Sequence, residues 1–408
     1  MSDQYKESLE QLAKQRALYP QEQLLQVKTN HKALQLGIPR EIALQENRVP
    51  LVPEAVNVLT NNSHDILVEA GVGNASKYSD NMYSEAGAKI VYSPKEVFEA
   101  NIILKVEPPT PDEIKLMKPG TTLISALQLG NQSSEYIEAL IKKKITALAF
   151  EFIEDKVGGM PVVRAMSEIA GSSVIQIAAQ YLSSVTNGKG MLLGGITGVP
   201  PTKVVILGSG TVAEYAARAA LGVGAQVQIF DNHIYKLRRI QHALGHPVFT
   251  STLDMSTLSA ALVEADVVIG AIRAEKGRSR IVVTEDMVSR MKPESVIIDV
   301  SIDQGGCIET SEITTLKQPV FRKHQVIHYC VPNIPSRVAR TASTAFSNIF
   351  TPILIQTADA GGIDDMIYAN KWFMKGVYIY KGSLTHQAIA RKFNMKCKDI
   401  NLLIAARM

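Results

Sequence analysis

Several polar residues in this chain stand where apolar runs end, and their types suit a grip on a small carboxylic acid. Lys105 closes the run Ile102-Ile103-Leu104, Gln128 follows Leu123-Ile124-Ser125-Ala126-Leu127, and Asn333 follows Tyr329-Cys330-Val331. Asp299 and Asp303 come after Val296-Ile297-Ile298, and Arg48 lies in a charge-dense loop at 40–50. An arginine binds a carboxylate through a two-pronged fork and a lysine as a point charge. An aspartate beside them can take or give a proton. Each residue alone has a plainer explanation. Lys105 could be a solvated surface charge, Glu46 and Arg48 a surface pair worth little, Asp299 a turn cap, and residues 303–306 a tight turn. Their shared placement at the carboxyl ends of strands, where open α/β sheets meet ligands, favours function.

The element that would hold a second ligand is the stretch Lys203-Val204-Val205-Ile206-Leu207-Gly208-Ser209-Gly210-Thr211-Val212-Ala213. A buried-strand run breaks into G-x-G-x-x-A and continues as an alanine-rich helix at 214–223. A second apolar strand, 227–230, follows and ends at Asp231. This is a βαβ unit with the dinucleotide fingerprint. Gly208 lets the chain turn off the strand, Gly210 lets backbone approach a pyrophosphate, and Ala213 keeps helix and strand close. The phosphates would meet free N–H groups at the helix start. Asp231 would accept from both ribose hydroxyls and repel a 2′-phosphate, which predicts NAD rather than NADP.

The remaining pattern supplies the frame. Strands are expected at 34–39, 65–69, 89–92, 101–106, 122–125 and 146–150, with helices from 53 and at 79–86, 94–100, 111–117 and 133–143. Such alternation predicts a parallel sheet covered by helices. A long helix at 167–185 and a glycine-rich run at 188–201 lead to the opening strand of the nucleotide unit. That unit continues with helices at 234–244 and 257–264 and strands at 266–270, 296–299 and 326–331. A helix at 341–360 returns to the first domain. The expected fold is α/β, two Rossmann-like doubly wound domains. Residues 166–335 form the NAD-binding domain, inserted between the halves, 36–165 and 336–408, of a substrate domain. Residues 1–35 read as a helical arm. The cleft between the domains is the expected ligand site.

Composition bounds the partners. The 408 residues carry a formal net charge of +4, too small to argue for nucleic acid. Cys307, Cys330 and Cys397 have no metal-type spacing and read as reduced thiols of a cytoplasmic protein. The first 32 residues are polar and lack the apolar centre of a signal peptide. No stretch reaches the roughly 18 uninterrupted apolar residues of a membrane span.

Several of these runs resemble the alanine dehydrogenases, with the nucleotide-binding subunit of proton-translocating transhydrogenase as a close relative. They are Gly37-Ile38-Pro39-Arg40-Glu41, Glu46-Asn47-Arg48-Val49, Leu104-Lys105-Val106 and Met166-Ser167-Glu168-Ile169-Ala170-Gly171, together with the glycine stretch and Asp299-Val300-Ser301-Ile302-Asp303-Gln304-Gly305-Gly306-Cys307. The resemblance implies oxidative deamination of L-alanine to pyruvate and ammonia, hydride transfer to NAD, the reverse amination, and a homo-oligomer, either a hexamer or a dimer. By position it implies Arg48 as carboxylate anchor, Lys105 as second substrate contact and Asp303 as the acidic residue handling protons. Ser167, Asp231, Asn333 and the loop Gly208, Ser209, Gly210, Thr211, Val212, Ala213 would touch the cofactor, with Ala271 beside the nicotinamide.

One position departs. The family usually has a histidine in a Phe-Leu-His-Leu-like run, and this chain has Ala126-Leu127-Gln128-Leu129. A histidine exchanges protons near neutral pH, whereas Gln128 donates a hydrogen bond and cannot titrate. Three readings follow: Asp303 or Lys105 takes over the proton work with Gln128 orienting the carbonyl or imine, the substrate is another small 2-oxo acid, or the chain binds NAD without turnover. A transhydrogenase-like subunit is a further alternative, opposed by the retained Arg48, Lys105 and Asp303.

Overall fold

A computed structural model describes residues 31–273 and 279–405. Most of the expected N-terminal arm, residues 1–30, lies outside the described residues. The first lobe begins with β1 (Gln35–Ile38), β2 (Asp65–Glu69), β3 (Lys89–Val91), β4 (Ile102–Leu104), β5 (Thr122–Ser125) and β6 (Thr146–Ala149). The second holds β7 (Lys203–Leu207), β8 (Gln226–Phe230), β9 (Phe249–Ser251), β10 (Val267–Gly270), β11 (Val296–Asp299), β12 (Val320–Lys323) and β13 (Val326–Tyr329). The chain then returns to the first sheet with β14 (Val377–Tyr380) and β15 (Ser383–Leu384).

The sheet orders are β15-β14-β6-β5-β4-β1-β2-β3 and β12-β13-β11-β10-β7-β8-β9. Six strands in each are parallel, in doubly wound order, and the order reverses between β1 and β4 and between β7 and β10. Antiparallel strands finish one edge of each sheet. Every residue of β4, β5, β6, β10, β11 and β13 is buried, as expected of strands covered by helices on both faces. The sequence pattern missed β9, β12, β14 and β15. Three of them lie at or next to an edge with short or mixed burial patterns, while β14 is an apolar run closed by a Lys381-Gly382 turn with φ 47° and 77°.

Two helices join the lobes. The bridging helix Pro161–Leu182 starts earlier than the periodicity suggested, because Pro161 opens it, at a position where a missing N–H costs nothing. Its Val162 belongs to the first core and its Ala170, Val174 and Ile177 to the second. The returning helix Ala339–Asp359 puts Phe346, Phe350 and Leu354 back into the first core. Among the described residues no helix is long and apolar enough to cross a membrane.

The bridging helix seats directly on the helix Thr211–Gly222 that follows the glycine turn. A Cβ on Gly171 would lie 2.4 Å from the Val212 carbonyl oxygen and 3.0 Å from the Ala216 nitrogen. Gly171→Ala should therefore destabilise the fold by about 1–3 kcal/mol, read from the denaturant midpoint. Gly222→Ala, whose new Cβ would meet nothing within 4 Å, should be neutral or gain up to about 1 kcal/mol. Equal effects of the two changes would contradict the close seating.

Candidate active site

Arg48 is buried and faces inward from the loop after β1. Its Nε donates to Glu46 Oε1 at 2.7 Å and its Nη2 to Glu46 Oε2 at 2.5 Å, a two-pronged fork. The guanidinium also lies over the Phe346 ring, 5.3 Å from the centroid. Among the described residues its Nη1 meets the Met166 thioether at 3.4 Å, a weak acceptor. Glu46 reaches across the lobes as well, because Asn333 Nδ2 donates to its Oε2 at 2.8 Å. Burial alone would raise the Glu46 carboxyl, but Arg48 and Asn333 hold it below the usual carboxylate range.

The loop carrying these residues is stitched to the returning segment by serines. Ser336 Oγ accepts from the Asn47 N–H, Ser343 Oγ from Val49 and Ser347 Oγ from Val52, at 2.9, 2.9 and 2.8 Å. Ser343 and Ser347, four apart, share a helix face. The bridging helix adds a second tie. Met166 touches Arg48 while Gly171 touches Val212, so about 7.5 Å of helix axis separates the anchor from the glycine-loop helix. Ser167 lies half-buried between those contacts.

The nucleotide loop has the geometry its glycines foretold. Gly208 has φ 103°, and a Cβ there would sit 2.5 Å from the Ala271 carbonyl oxygen. Above Gly210 a Cβ would meet nothing within 4 Å, which leaves backbone open to a close ligand. The helix starting at Thr211 and Val212 has Gly210 as its cap, with no side chain on its first N–H groups. Ala213 is fully buried. Asp231 ends β8, with Oδ2 accepting from Ser209 N and Oγ at 2.9 and 2.7 Å and Oδ1 from His233 N at 2.8 Å. Burial would raise its carboxyl, yet the His233 and Ser209 hydrogen bonds hold it low and charged. It anchors the loop, a role the sequence did not suggest, and a ribose would have to share those oxygens.

Asp303 and Asn333 face this region from the ends of β11 and β13. Asp303 is reached by water, but the crowding of the cleft walls pushes its carboxyl up to about 6, against the pull of the Asn333 backbone N–H and Arg48. Asn333 adopts φ 56°, a left-handed conformation that asparagine tolerates. Asp299 is spent on structure: it accepts from Ser301, Cys307 and Ile308 N–H groups and from Ser311 Oγ, fixing the loop that carries Asp303.

Gln128 also has left-handed backbone, φ 48°. Glu151 Oε1 accepts from the Leu127 and Gln128 N–H groups at 2.8 and 3.0 Å, which fixes that turn. Gln128 Nε2 donates to Glu107 Oε2 at 2.5 Å, and Glu107 Oε1 lies 3.7 Å from Arg48 Nη2. A continuous polar line thus runs Gln128, Glu107, Arg48, Glu46, Asn333. Two concave spaces flank it. One, of about 230 Å³, is lined by Arg40, Glu41, Glu46, Asn47 and Arg48 among others; the other, of about 400 Å³, by Glu107, Pro109, Gln128 and Tyr136 among others. Glu107 and Phe346 were not picked out by sequence, Met166 appeared only within a family run, and the Glu46–Arg48 pair weighed there as a surface pair is buried.

Lys105, expected as the second substrate contact, has a side chain 1% exposed, and its Nζ is 2.7 Å from Glu113 Oε1 and 3.4 Å from Glu41 Oε2. The two carboxylates hold it charged against the burial that would lower its pKa. Lys105→Met should cost about 3–5 kcal/mol of stability by stranding buried carboxylates, with KM for substrate little changed. A raised KM at unchanged stability would restore Lys105 to the substrate.

Residues 37–170 match the family model described as alanine dehydrogenase/PNT, N-terminal domain, and residues 174–387 that of the C-terminal domain. An alanine dehydrogenase of Bacillus subtilis (strain 168) is 39% identical over 357 residues, covering 87% of this chain and 94% of the relative. Alanine dehydrogenase 2 of Staphylococcus aureus (strain USA300) is 37% identical over 368 residues, 90% of this chain and 98% of that one. A solved L-alanine dehydrogenase superposes with a TM-score of 0.82 at 36% identity, over 88% of this chain and 99% of that one. A transhydrogenase from Sinorhizobium meliloti shares the fold, with a TM-score of 0.74 at 24% identity, over 86% of this chain and 99% of that one. The chain belongs to the alanine dehydrogenase/PNT family.

Proposed function

We propose that this protein oxidises L-alanine to pyruvate and ammonia with NAD as hydride acceptor, and runs the reverse amination. The observation that carries the reading is the Glu46 bridge, which couples Arg48 of one lobe to Asn333 of the other, the lobe that holds the glycine loop. The residues present fit a dinucleotide. The open backbone at Gly210 and the uncapped helix start suit a pyrophosphate, and the charged Asp231 suits a ribose and opposes a 2′-phosphate. Ser209, Thr211, Val212, Ser167, Ala271 and Asn333 would complete the contacts. When bound, NAD supplies the carbon that accepts the substrate's hydride.

The chain's own groups do the rest. Arg48 binds the carboxylate through Nη1, the arm that Glu46 leaves free, and that grip orients the Cα hydrogen; alignment alone supplies much of the acceleration in such reactions. Asp303, pushed up to about 6, is ionised at neutral pH and placed to take a proton from the ammonium or from the water that attacks the imine. Gln128 orients the imine or carbonyl by hydrogen bonding. A homo-oligomer and a cytoplasmic setting belong to the same reading.

The test is an assay of NADH formation with L-alanine and of NADH consumption with pyruvate and ammonia. Arg48→Lys keeps the charge but loses the fork, and should lower kcat/KM by about 10–100-fold while NADH still binds. Absorbance that stays flat across a panel of small amino acids, with measurable NADH binding, would establish a silent nucleotide-binding protein instead.

A further inference from the structure

We propose that Glu107 is the general acid–base at the substrate nitrogen, and that the Gln128 amide holds its carboxyl there beside Arg48. The proposal rests on the dehydrogenase reading above. Gln128 cannot titrate, so a proton has to be handled by a neighbour, and the group its amide grips is Glu107. Glu107 lies in the loop after β4, beyond Lys105 and Val106, with its backbone N–H bonded to Glu41 Oε2 at 3.3 Å, so that part of the loop is fixed. Its side chain is 14% exposed, open on one side and protein-bound on the other.

Glu107 and Glu46 both lie within ion-pair distance of the Arg48 Nη2, at 3.7 and 2.5 Å. Two carboxyls gathered on one guanidinium disfavour double ionisation, so one of them tends to keep a proton. The forked guanidinium of Arg48 and the Asn333 amide keep Glu46 ionised, which leaves the proton on Glu107. The charged groups around it are Glu46 and Arg48 on the facing loop, Glu41 with Lys105 and Glu113 beneath, Glu151 behind Gln128 and Asp303 across the cleft. Burial first, then Glu46 and Glu41, push the Glu107 carboxyl up to about 8 against the pull of Arg48. Asp303 at about 6 is thereby separated from it, the pattern that assigns two carboxyls different roles.

In deamination the ionised Glu107 takes one proton from the alanine ammonium. An N–H bond breaks, a Glu107 O–H bond forms, and the electron pair stays on nitrogen to form the C=N bond as Cα gives its hydride to NAD. Asp303 then serves the attacking water. In amination the protonated Glu107 returns the same proton. Deamination should therefore need Glu107 ionised and amination need it protonated.

The test compares wild type, Glu107→Gln and Glu107→Asp. In wild type, kcat for deamination should rise through pH 8, Glu107→Asp should keep a limb at shifted pH, and Glu107→Gln should lose the limb with kcat down about 10²–10⁴-fold and NADH affinity unchanged. Without turnover, infrared difference spectra of wild type minus Glu107→Gln should show a carboxyl band titrating near the same pH. Glu107→Gln that keeps the alkaline limb, or a Glu107 already ionised at pH 6, overturns the assignment while leaving alanine dehydrogenation intact. Wild type inert toward every amino acid overturns both.

Discussion

The arrangement depends on one buried carboxylate. Glu46 takes three bonds from Arg48, one of them from its backbone N–H, and one from Asn333, and these partners come from opposite lobes. A buried guanidinium is costly without a counter-charge, and a buried carboxylate is costly without donors; together they offset each other's desolvation. The pairing also sets the anchor's geometry. With Nε and Nη2 committed to Glu46, Nη1 is the arm that the proposed reading assigns to an incoming acid, and on that reading the binding direction is chosen before substrate arrives. Preorganisation of this kind reduces what binding must spend on ordering side chains.

Around that link the fold works as a clamp of fixed width. The serines at 336, 343 and 347 hold the anchor loop to the returning segment. The bridging helix has Met166 on the anchor and Gly171 on the glycine-loop helix. The second contact tolerates little displacement, because a Cβ on Gly171 would lie 2.4 Å from the Val212 carbonyl oxygen. The bridging helix thus touches both the Arg48 loop and the helix after the glycine turn. Lys105 and its two carboxylates support the floor beneath the site.

Much of this was legible in the residues. The glycine turn, Asp231 and the apolar strands announce themselves, since a fully buried parallel strand has to be an unbroken apolar run and the turn has to be glycine where φ is 103°. The pairing of Lys105 was not legible. Lys105 ends an apolar run, as a ligand-contacting lysine would, and its burial depends on Glu41 and Glu113, which come from elsewhere in the chain. Charge pairing across sequence distance leaves no periodicity. Glu107 was passed over because a glutamate before two prolines looks like a loop residue; only its contacts with Gln128 and Arg48 reveal it. Ser343 and Ser347 did carry a readable signal, a four-residue spacing within a helix, and Lys381-Gly382 marked the missed hairpin.

A crystal structure with NADH and pyruvate bound would examine the link most directly. The account predicts the pyruvate carboxylate on Arg48 Nη1, Glu46 still bonded to Asn333, and the keto carbon facing the nicotinamide ring. A pyruvate held elsewhere, with Arg48 still closed on Glu46 alone, would contradict it.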